Sequence, residues 1–201
     1  LQAIETCPAA KDANGDLVPA CKGCYATTGA YRFSNVKKVR FDNKEAWQVE
    51  SFESDFIQAL AKEKFFRWFD SGDMYSLPLA EKMLYIMQNT PHVKHWLPTR
   101  MRKFAKFHSV LERMQSLPNV NVRLSSDGIN GELINTKLNS TNSTIISANS
   151  DYNGFVCPSS LQDGKCKACK ACFDKEVKTV AYIGHGVAML KHQKLINTVN
   201  M

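Results

Sequence analysis

Between residues 60 and 127 the chain alternates short apolar runs rich in aromatic and β-branched residues with longer amphipathic stretches. That alternation is the pattern of βαβ units, and no other feature narrows the possible folds as far. "KFFRWFDSGD" (64–73) reads as a buried strand ending in a turn. "LPLAEKMLYIMQNTP" (77–91) follows as a helix with Leu79, Met83, Leu84, Ile86 and Met87 on its apolar side, closed by Pro91. "HVKHWLPT" (92–99) is the next strand. "RKFAKFHSVLERMQSLP" (102–118) is the next helix, burying Phe104, Phe107, Val110, Leu111 and Met114, and "NVNVRLSSD" (119–127) is the strand after it. "FESDFIQALAK" (52–62) adds a helix ahead of this series. "STIISAN" (143–149) and "TVAYIGH" (179–185) add two strands, and "VAMLKHQKLIN" (187–197) a last helix.

Crossovers of this length join parallel strands with right-handed connections. The expected class is therefore α/β: a partial β/α barrel or an open, mostly parallel sheet. All 201 residues are expected to form a single domain, with cysteine-bearing loops at 7–24 and 157–172. In both architectures ligands bind at the carboxyl ends of the strands. The residues there are "DSGD" at 70–73, Arg100, "SSD" at 125–127 and His185. Each alone suits a turn or a cap. Together, Asp73, Arg100, Ser125, Asp127 and His185 make a polar pocket on one rim.

At 44% apolar and 22% charged residues, a chain of this length can bury a core without disulfide staples. Its seven cysteines need another explanation, and an odd number cannot pair off completely. Two sulfurs spaced CxxC reach one metal ion or cluster from a single tight turn. The pattern occurs at Cys21 and Cys24 and twice more in "CKACKAC", at Cys166, Cys169 and Cys172. Tetrahedral zinc usually draws its ligands as two separated pairs. A four-iron cubane accepts three consecutive thiols, as in bacterial ferredoxins, where a further cysteine precedes a proline. Cys157 precedes Pro158, completing a set of four, and Cys7 precedes Pro8 ahead of Cys21 and Cys24. The cysteines thus divide into three plus four. Four close the shell of a cluster, and three leave one iron open. A single cluster shared by both regions, structural zinc, and buried free thiols are the alternatives. Lys167 and Lys170 bring positive charge toward an anionic cluster and favour its reduced state.

No apolar run reaches the length of a membrane span, and "LQAIETCPAA" lacks the regions of a signal peptide, so a cytoplasmic location is expected. A formal charge of +7 admits nucleic acid or an acidic protein as partner without choosing between them. "NSTNST" (139–144) holds two glycosylation sequons, at Asn139 and Asn142, and reads as a polar loop. His92, His95, His108 and His192 have no ligand spacing to any cysteine and are expected at the surface or in the core. His185, at a strand end, is a candidate ligand or acid.

"CP…C…CYATTGAYRF", "FRWFDSGDMYS", "VKHWLPTR", "VRLSSD" and "CP…CKACKACFD…VAYIGH", in this order, resemble the phage "gene product 88" family over most of the chain. The resemblance implies a viral origin and expression in an infected bacterium. That family is in turn similar to radical S-adenosylmethionine enzymes, in which three cysteines hold a four-iron cluster whose remaining iron is chelated by the cofactor. On that likeness "CKGCY" corresponds to the second half of the cysteine motif. Asp73 of "SGD" would grip the methionine ammonium, and Ser125 or Asp127 the ribose. Those enzymes space their cysteines CxxxCxxC, whereas here thirteen residues separate Cys7 from Cys21.

The expected function is that of an iron–sulfur protein with one or two 4Fe-4S clusters on a radical-enzyme-like scaffold. It would act in redox chemistry or electron transfer, with a host redox protein as partner. The alternative is a zinc-stabilised basic module that binds nucleic acid or a host protein.

Overall fold

A computed structural model of the chain describes residues 1–134 and 141–199. Five strands, β1 (Phe65–Arg67), β2 (Lys94–Thr99), β3 (Val120–Ser125), β4 (Thr141–Ile146) and β5 (Thr179–Ile183), form one sheet in the order β1-β2-β3-β4-β5. Every neighbouring pair is parallel. Each strand therefore lies beside its predecessor, and the order never reverses as it does in a doubly wound sheet. The sheet curls into half a barrel. Of the two architectures admitted by the sequence, the partial barrel is the one adopted.

Six α-helices lie among the described residues: α1 (Pro19–Lys22), α2 (Ser34–Glu45), α3 (Phe52–Ala59), α4 (Leu77–Asn89), α5 (His108–Ser116) and α6 (Val187–Val199). α4 starts where Ser76 Oγ accepts a hydrogen bond from the Leu79 amide at 3.2 Å, with Pro78 in the first turn, where its missing N–H costs nothing. It presents Met83, Leu84, Ile86 and Met87, none more than 1% exposed, to the sheet. Each such side chain contributes about 1.5–3 kcal/mol by leaving water. With Phe107, Val110, Leu111 and Met114 from the α5 region they pack against Leu97, Val120, Val122 and Leu124. α3 adds Phe56, stacked on Trp68 with ring centroids 5.2 Å apart.

β3 decides how the other face is covered. Val120, Val122 and Leu124 point to the helices, so by the twofold period of a strand Asn121, Arg123 and Ser125 point away from them. Asn121 and Arg123 are nonetheless 1% and 0% exposed, and their side chains bond carbonyls of the cysteine-rich segment at residues 171–177. The end of the connection between β4 and β5, residues 171–177, is thereby held in the hollow of the half-barrel.

Several boundaries differ from the sequence reading. The helix expected over 102–118 begins only at His108. Ahead of it are two 3-10 turns, Met101–Lys103 and Ala105–Phe107, separated by extended Phe104. Lys103 is drawn out of helical register by its bonds to Ala9 and Asp127. Residues 141–144 of "NSTNST" are not a loop but the start of β4, where Thr141 Oγ1 donates to Asn121 Oδ1 at 2.8 Å in the polar interior. Asn139 lies outside the described residues. α2 was not foreseen, because Arg40 is its one buried residue among those described and it has no apolar period. His95 is a core residue, whereas His92 and His108 are exposed.

Candidate functional site

The amino-terminal cysteine segment lies across the carboxyl ends of the strands. The Asp73 amide, beyond β1, donates to the Thr6 carbonyl at 2.8 Å; Lys103 Nζ, beyond β2, donates to the Ala9 carbonyl at 2.9 Å; and the Asp127 carbonyl, beyond β3, accepts from the Ala20 amide at 2.8 Å. On the far side Ala20 packs with Ile129, Ile145 and Met189. Tyr25 lies 5.9 Å from the ring of His185 beyond β5, and its hydroxyl donates to the Asp70 carbonyl beyond β1. One segment thus caps the mouth of the half-barrel from edge to edge.

Cys7, Cys21 and Cys24 are brought together in this cap. Cys7 packs on the small apolar cluster of Ala10, Val18 and Cys21, and the Cys24 amide donates to the Cys21 carbonyl at 3.2 Å. Burial, reinforced by the neighbouring Asp73 carboxylate, pushes the Cys7 thiol up to about 12. Burial also raises the Cys21 thiol, against the opposing pull of the Arg100 and Lys103 cations. Both thiols are neutral at pH 7; Cys21 lies beside positive charge that would stabilise its thiolate, whereas Cys7 lies beside the Asp73 carboxylate, which would not.

Of the five rim candidates, Asp73, Arg100 and Asp127 meet beneath this cap. Asp73 is 7% exposed; its Oδ1 accepts from Thr99 Oγ1 and the Met74 amide, both at 2.8 Å, and its Oδ2 from the Arg100 amide at 2.9 Å. Three of about four acceptor positions of the carboxylate are filled by the protein. Burial still raises its pKa. Asp127 is paired with Lys103 at 2.7 Å and Arg100 at 3.6 Å. Ser125 lies deeper, accepting from Ser143 Oγ at 3.2 Å, and His185 stays exposed against Tyr25.

Gly72 makes the "SGD" turn possible. Its φ is +82°, and a Cβ there would lie 2.5 Å from Thr6 Oγ1. Gly72→Ala is expected to cost about 1–3 kcal/mol. Gly15 has a similar φ of +85° with nothing within 4 Å, so Gly15→Ala carries the backbone strain without the clash. Urea midpoints of the two variants should differ, with Gly72→Ala the lower; equal midpoints would deny the close packing of the cap on this turn.

The carboxyl-terminal cysteines form a second group. Cys157, Cys166, Cys169 and Cys172 line one small cavity of about 20 Å³, together with Pro158, Lys170 and Val180. This is room for about one water. Cys157 is fixed beside β5, since the Ala181 carbonyl accepts from its amide at 2.8 Å and Val156 bridges Ala181 in parallel. Cys166 and Cys169 are joined by a turn, the Cys169 amide donating to the Cys166 carbonyl at 2.9 Å, with Lys167 left-handed at φ +44°. Cys172 Sγ is 3.1 Å from the Tyr182 hydroxyl, and burial raises both groups above their ordinary pKa. Lys170 is held over the ring of Phe65 at 5.1 Å.

All seven cysteines are free thiols. Among the described residues no group of three or more His, Cys, Asp or Glu is placed so that it could hold a metal ion. Three cysteines lie in the cap and four line the cavity beside β5. Arg123, Tyr182, Tyr25 and Trp96, which frame the two groups, were not singled out from sequence. The alternation of polar residues in "NVNVRLS" did carry a signal for Arg123, since it marks a strand with a polar second face.

The family model for Gene product 88 matches residues 1–175. The chain belongs to the Gene product 88 family. The matched region contains all seven cysteines and the first four strands, ending ahead of β5. Membership in this family fits the phage origin implied by the sequence motifs. No curated protein and no solved structure matches the chain. Among the described residues no helix is long and apolar enough to cross a membrane.

Proposed function

We propose that this member of the Gene product 88 family is an iron–sulfur protein acting in electron transfer or redox chemistry, with thiolate sites at the mouth and in the hollow of its half-barrel. The observation behind this reading is that Cys157, Cys166, Cys169 and Cys172, four soft ligands on one loop, line a common cavity, which would have to widen to admit a cubane. Four thiolates close the coordination of a cluster. Cys7, Cys21 and Cys24 supply three, beside Arg100 and Lys103, whose charge offsets that of an anionic cluster.

The finer form of the proposal takes the open iron of the upper site as the place where S-adenosylmethionine is chelated. Cys7, Cys21 and Cys24 would hold the cluster there, and its chemistry would be one-electron reduction of a sulfonium. On this form Asp127 and Ser125 face the ribose, and Asp73 receives the ammonium at its one remaining acceptor position. Because Asp73 is engaged by Thr99, Met74 and Arg100, its first role is to hold the loops beyond β1 and β2 in place.

A second reading is structural zinc at Cys157, Cys166, Cys169 and Cys172. The small volume of the cavity favours it, because a single tetrahedral ion needs less room than a cubane.

Anaerobic purification followed by iron, sulfide and zinc analysis separates the readings. About four irons per cluster with matching sulfide, and absorbance near 400 nm, are expected. Zinc without iron would replace the first reading by the second. Cys169→Ala is expected to remove the metal of the hollow and leave that of the mouth; unchanged metal content would contradict the ligand assignment. Titration of the reduced protein with S-adenosylmethionine tests the finer form, and the absence of any spectral change or cleavage would reduce it to an electron carrier.

A further inference from the structure

The end of the half-barrel opposite the cap, at the amino ends of β1 and β2, is basic. Lys64 precedes β1 and Lys94 opens β2, and the two strand starts are tied where the Lys94 amide donates to the Lys64 carbonyl at 2.9 Å. Lys94 is the register partner of Phe65, so both side chains leave the same face of the sheet. Lys170 Nζ lies 5.1 Å from the centroid of the Phe65 ring. Lys175 Nζ donates to the Gln115 and Leu117 carbonyls at 2.6 and 2.7 Å, and Lys94 Nζ donates to the next carbonyl along, that of Pro118, at 3.5 Å. The two ammonium groups are thus held as neighbours, and burial, then the Lys94 charge, lowers the Lys175 pKa.

Among the described residues none of these four lysines is paired with a carboxylate, whereas Lys38, Lys44, Lys82 and Lys103 all are. The carboxylates next to them in sequence do not compensate. Glu63 forms no ion pair among the described residues, Asp174 Oδ1 accepts from the Glu176 amide, and Glu176 pairs with Lys178 at 3.9 Å. Donors also remain. An ammonium has three N–H groups. Lys175 uses two, Lys94 one, and Lys170 one, on the Lys167 carbonyl at 3.2 Å. Like charges held together repel, and an anion between them relieves the repulsion. Amid these cations Phe65 stays 40% exposed, with the Phe173 ring edge-on at 5.1 Å. An open aromatic ring among unpaired cations stacks a base while the flanking phosphates are neutralised.

We propose that this end of the half-barrel binds single-stranded nucleic acid, with Lys64, Lys94, Lys170 and Lys175 on the phosphates and a base stacked on Phe65. A duplex would satisfy the lysines but keeps its base faces covered. An acidic protein would satisfy them too, but offers carboxylates and no flat ring for Phe65. The inference rests on no metal at the cysteines, and its failure would leave the iron–sulfur reading untouched.

Fluorescence anisotropy of the full chain with a labelled oligothymidylate of about 20 nucleotides tests it. Log affinity is expected to fall against log salt with a slope of about −3, from four phosphates at about 0.7 each. Phe65→Leu keeps an apolar side chain against Phe173 but removes the stacking face, and should weaken binding about tenfold with the slope unchanged. Lys94→Gln should make the slope shallower by about 0.7. Lys94 is exposed, so this variant keeps the test valid if Phe65→Leu misfolds. Lys37→Gln, exposed on α2, is the control and should change neither quantity. Absence of binding at about 50 mM salt would overturn the proposal. So would equal affinity for a duplex of the same length, or a Lys37→Gln effect as large as that of Lys94→Gln. Equal competition by polyglutamate would overturn it in favour of an acidic protein.

Discussion

Arg123→Met is expected to lower stability by about 3–5 kcal/mol, because it leaves several buried carbonyls without their donor. The side chain is 0% exposed, and its guanidinium donates to five carbonyls: Nε to Cys172 at 3.0 Å, Nη1 to Asn142 at 3.1 Å, and Nη2 to Ala171, Asp174 and Val177 at 2.6, 2.9 and 2.8 Å. Four of these belong to the segment that carries Cys172 into the hollow. That segment has no α-helix of its own, so the arginine does for it what a ladder of backbone bonds does for β3. Methionine fills the space but leaves the carbonyls unpaired, at about 1–3 kcal/mol for each that water cannot reach. Arg123→Lys should recover only part of the loss, because an ammonium cannot reproduce the planar fork. Urea denaturation measures the stability. Alkylation under native conditions measures the second consequence, since the segment released from β3 should expose Cys172 to reagent severalfold faster. A variant of wild-type stability with Cys172 still protected would show that the segment is held by something other than Arg123.

The second large effect is one of pH. His95 is 0% exposed, and burial holds its imidazole down at about 4, against 6.5 for the free side chain. Its neighbours explain why the neutral form is kept. Trp68 Nε1 donates to Nδ1 at 3.2 Å, so that nitrogen must be bare. Thr90 Oγ1 gives its proton to the Ile86 carbonyl at 2.7 Å and so accepts from Nε2 at 2.9 Å. A second proton would bring an N–H at Nδ1 against the indole N–H. Between pH 6.5 and 4 the unfolded chain takes up that proton and the folded chain does not. Stability is therefore complete above pH 6.5, falls as pH drops toward 4, and loses about 3 kcal/mol over the window. His95→Asn should be less stable at pH 7 and lack this part of the slope. Denaturation curves at several pH values, wild type against variant, give the comparison; parallel slopes would mean that His95 titrates in the folded protein as it does in solution.

These expectations lie on opposite faces of one sheet, and the two faces were unequally legible. The helix-facing side follows from periodicity: Met83, Leu84, Ile86 and Met87 recur at helical spacing, and Val120, Val122 and Leu124 at the spacing of a strand. Burial of apolar surface is nondirectional, so a pattern of apolar positions is enough to place them. The hollow is polar. Its contacts join Arg123 to Cys172, 49 residues apart, and Asn121 to Asp174, 53 apart. Hydrogen bonds between groups that distant leave no local pattern, because either partner alone looks like an ordinary surface residue.

The cysteines fall between these cases. The proximity of Cys21 to Cys24, and of Cys166, Cys169 and Cys172 to one another, was readable from CxxC spacing, since short spacing forces proximity whatever the fold; the places of Cys7 and Cys157 were not. The side of the sheet that each group would occupy was not. By itself the sequence determined the α/β class, the parallel direction of the strands through βαβ alternation, and the close spacing of the thiols at 21–24 and 166–172. The tertiary structure alone decided that the sheet curls without reversing, that residues 7–24 cap its mouth, and that residues 171–177 pack on its inner face. The physical reason is range. Periodicity and close spacing act within a turn or a strand, whereas the curl of the sheet and the path of its loops are set by long-range bonds that exist only once the sheet has formed.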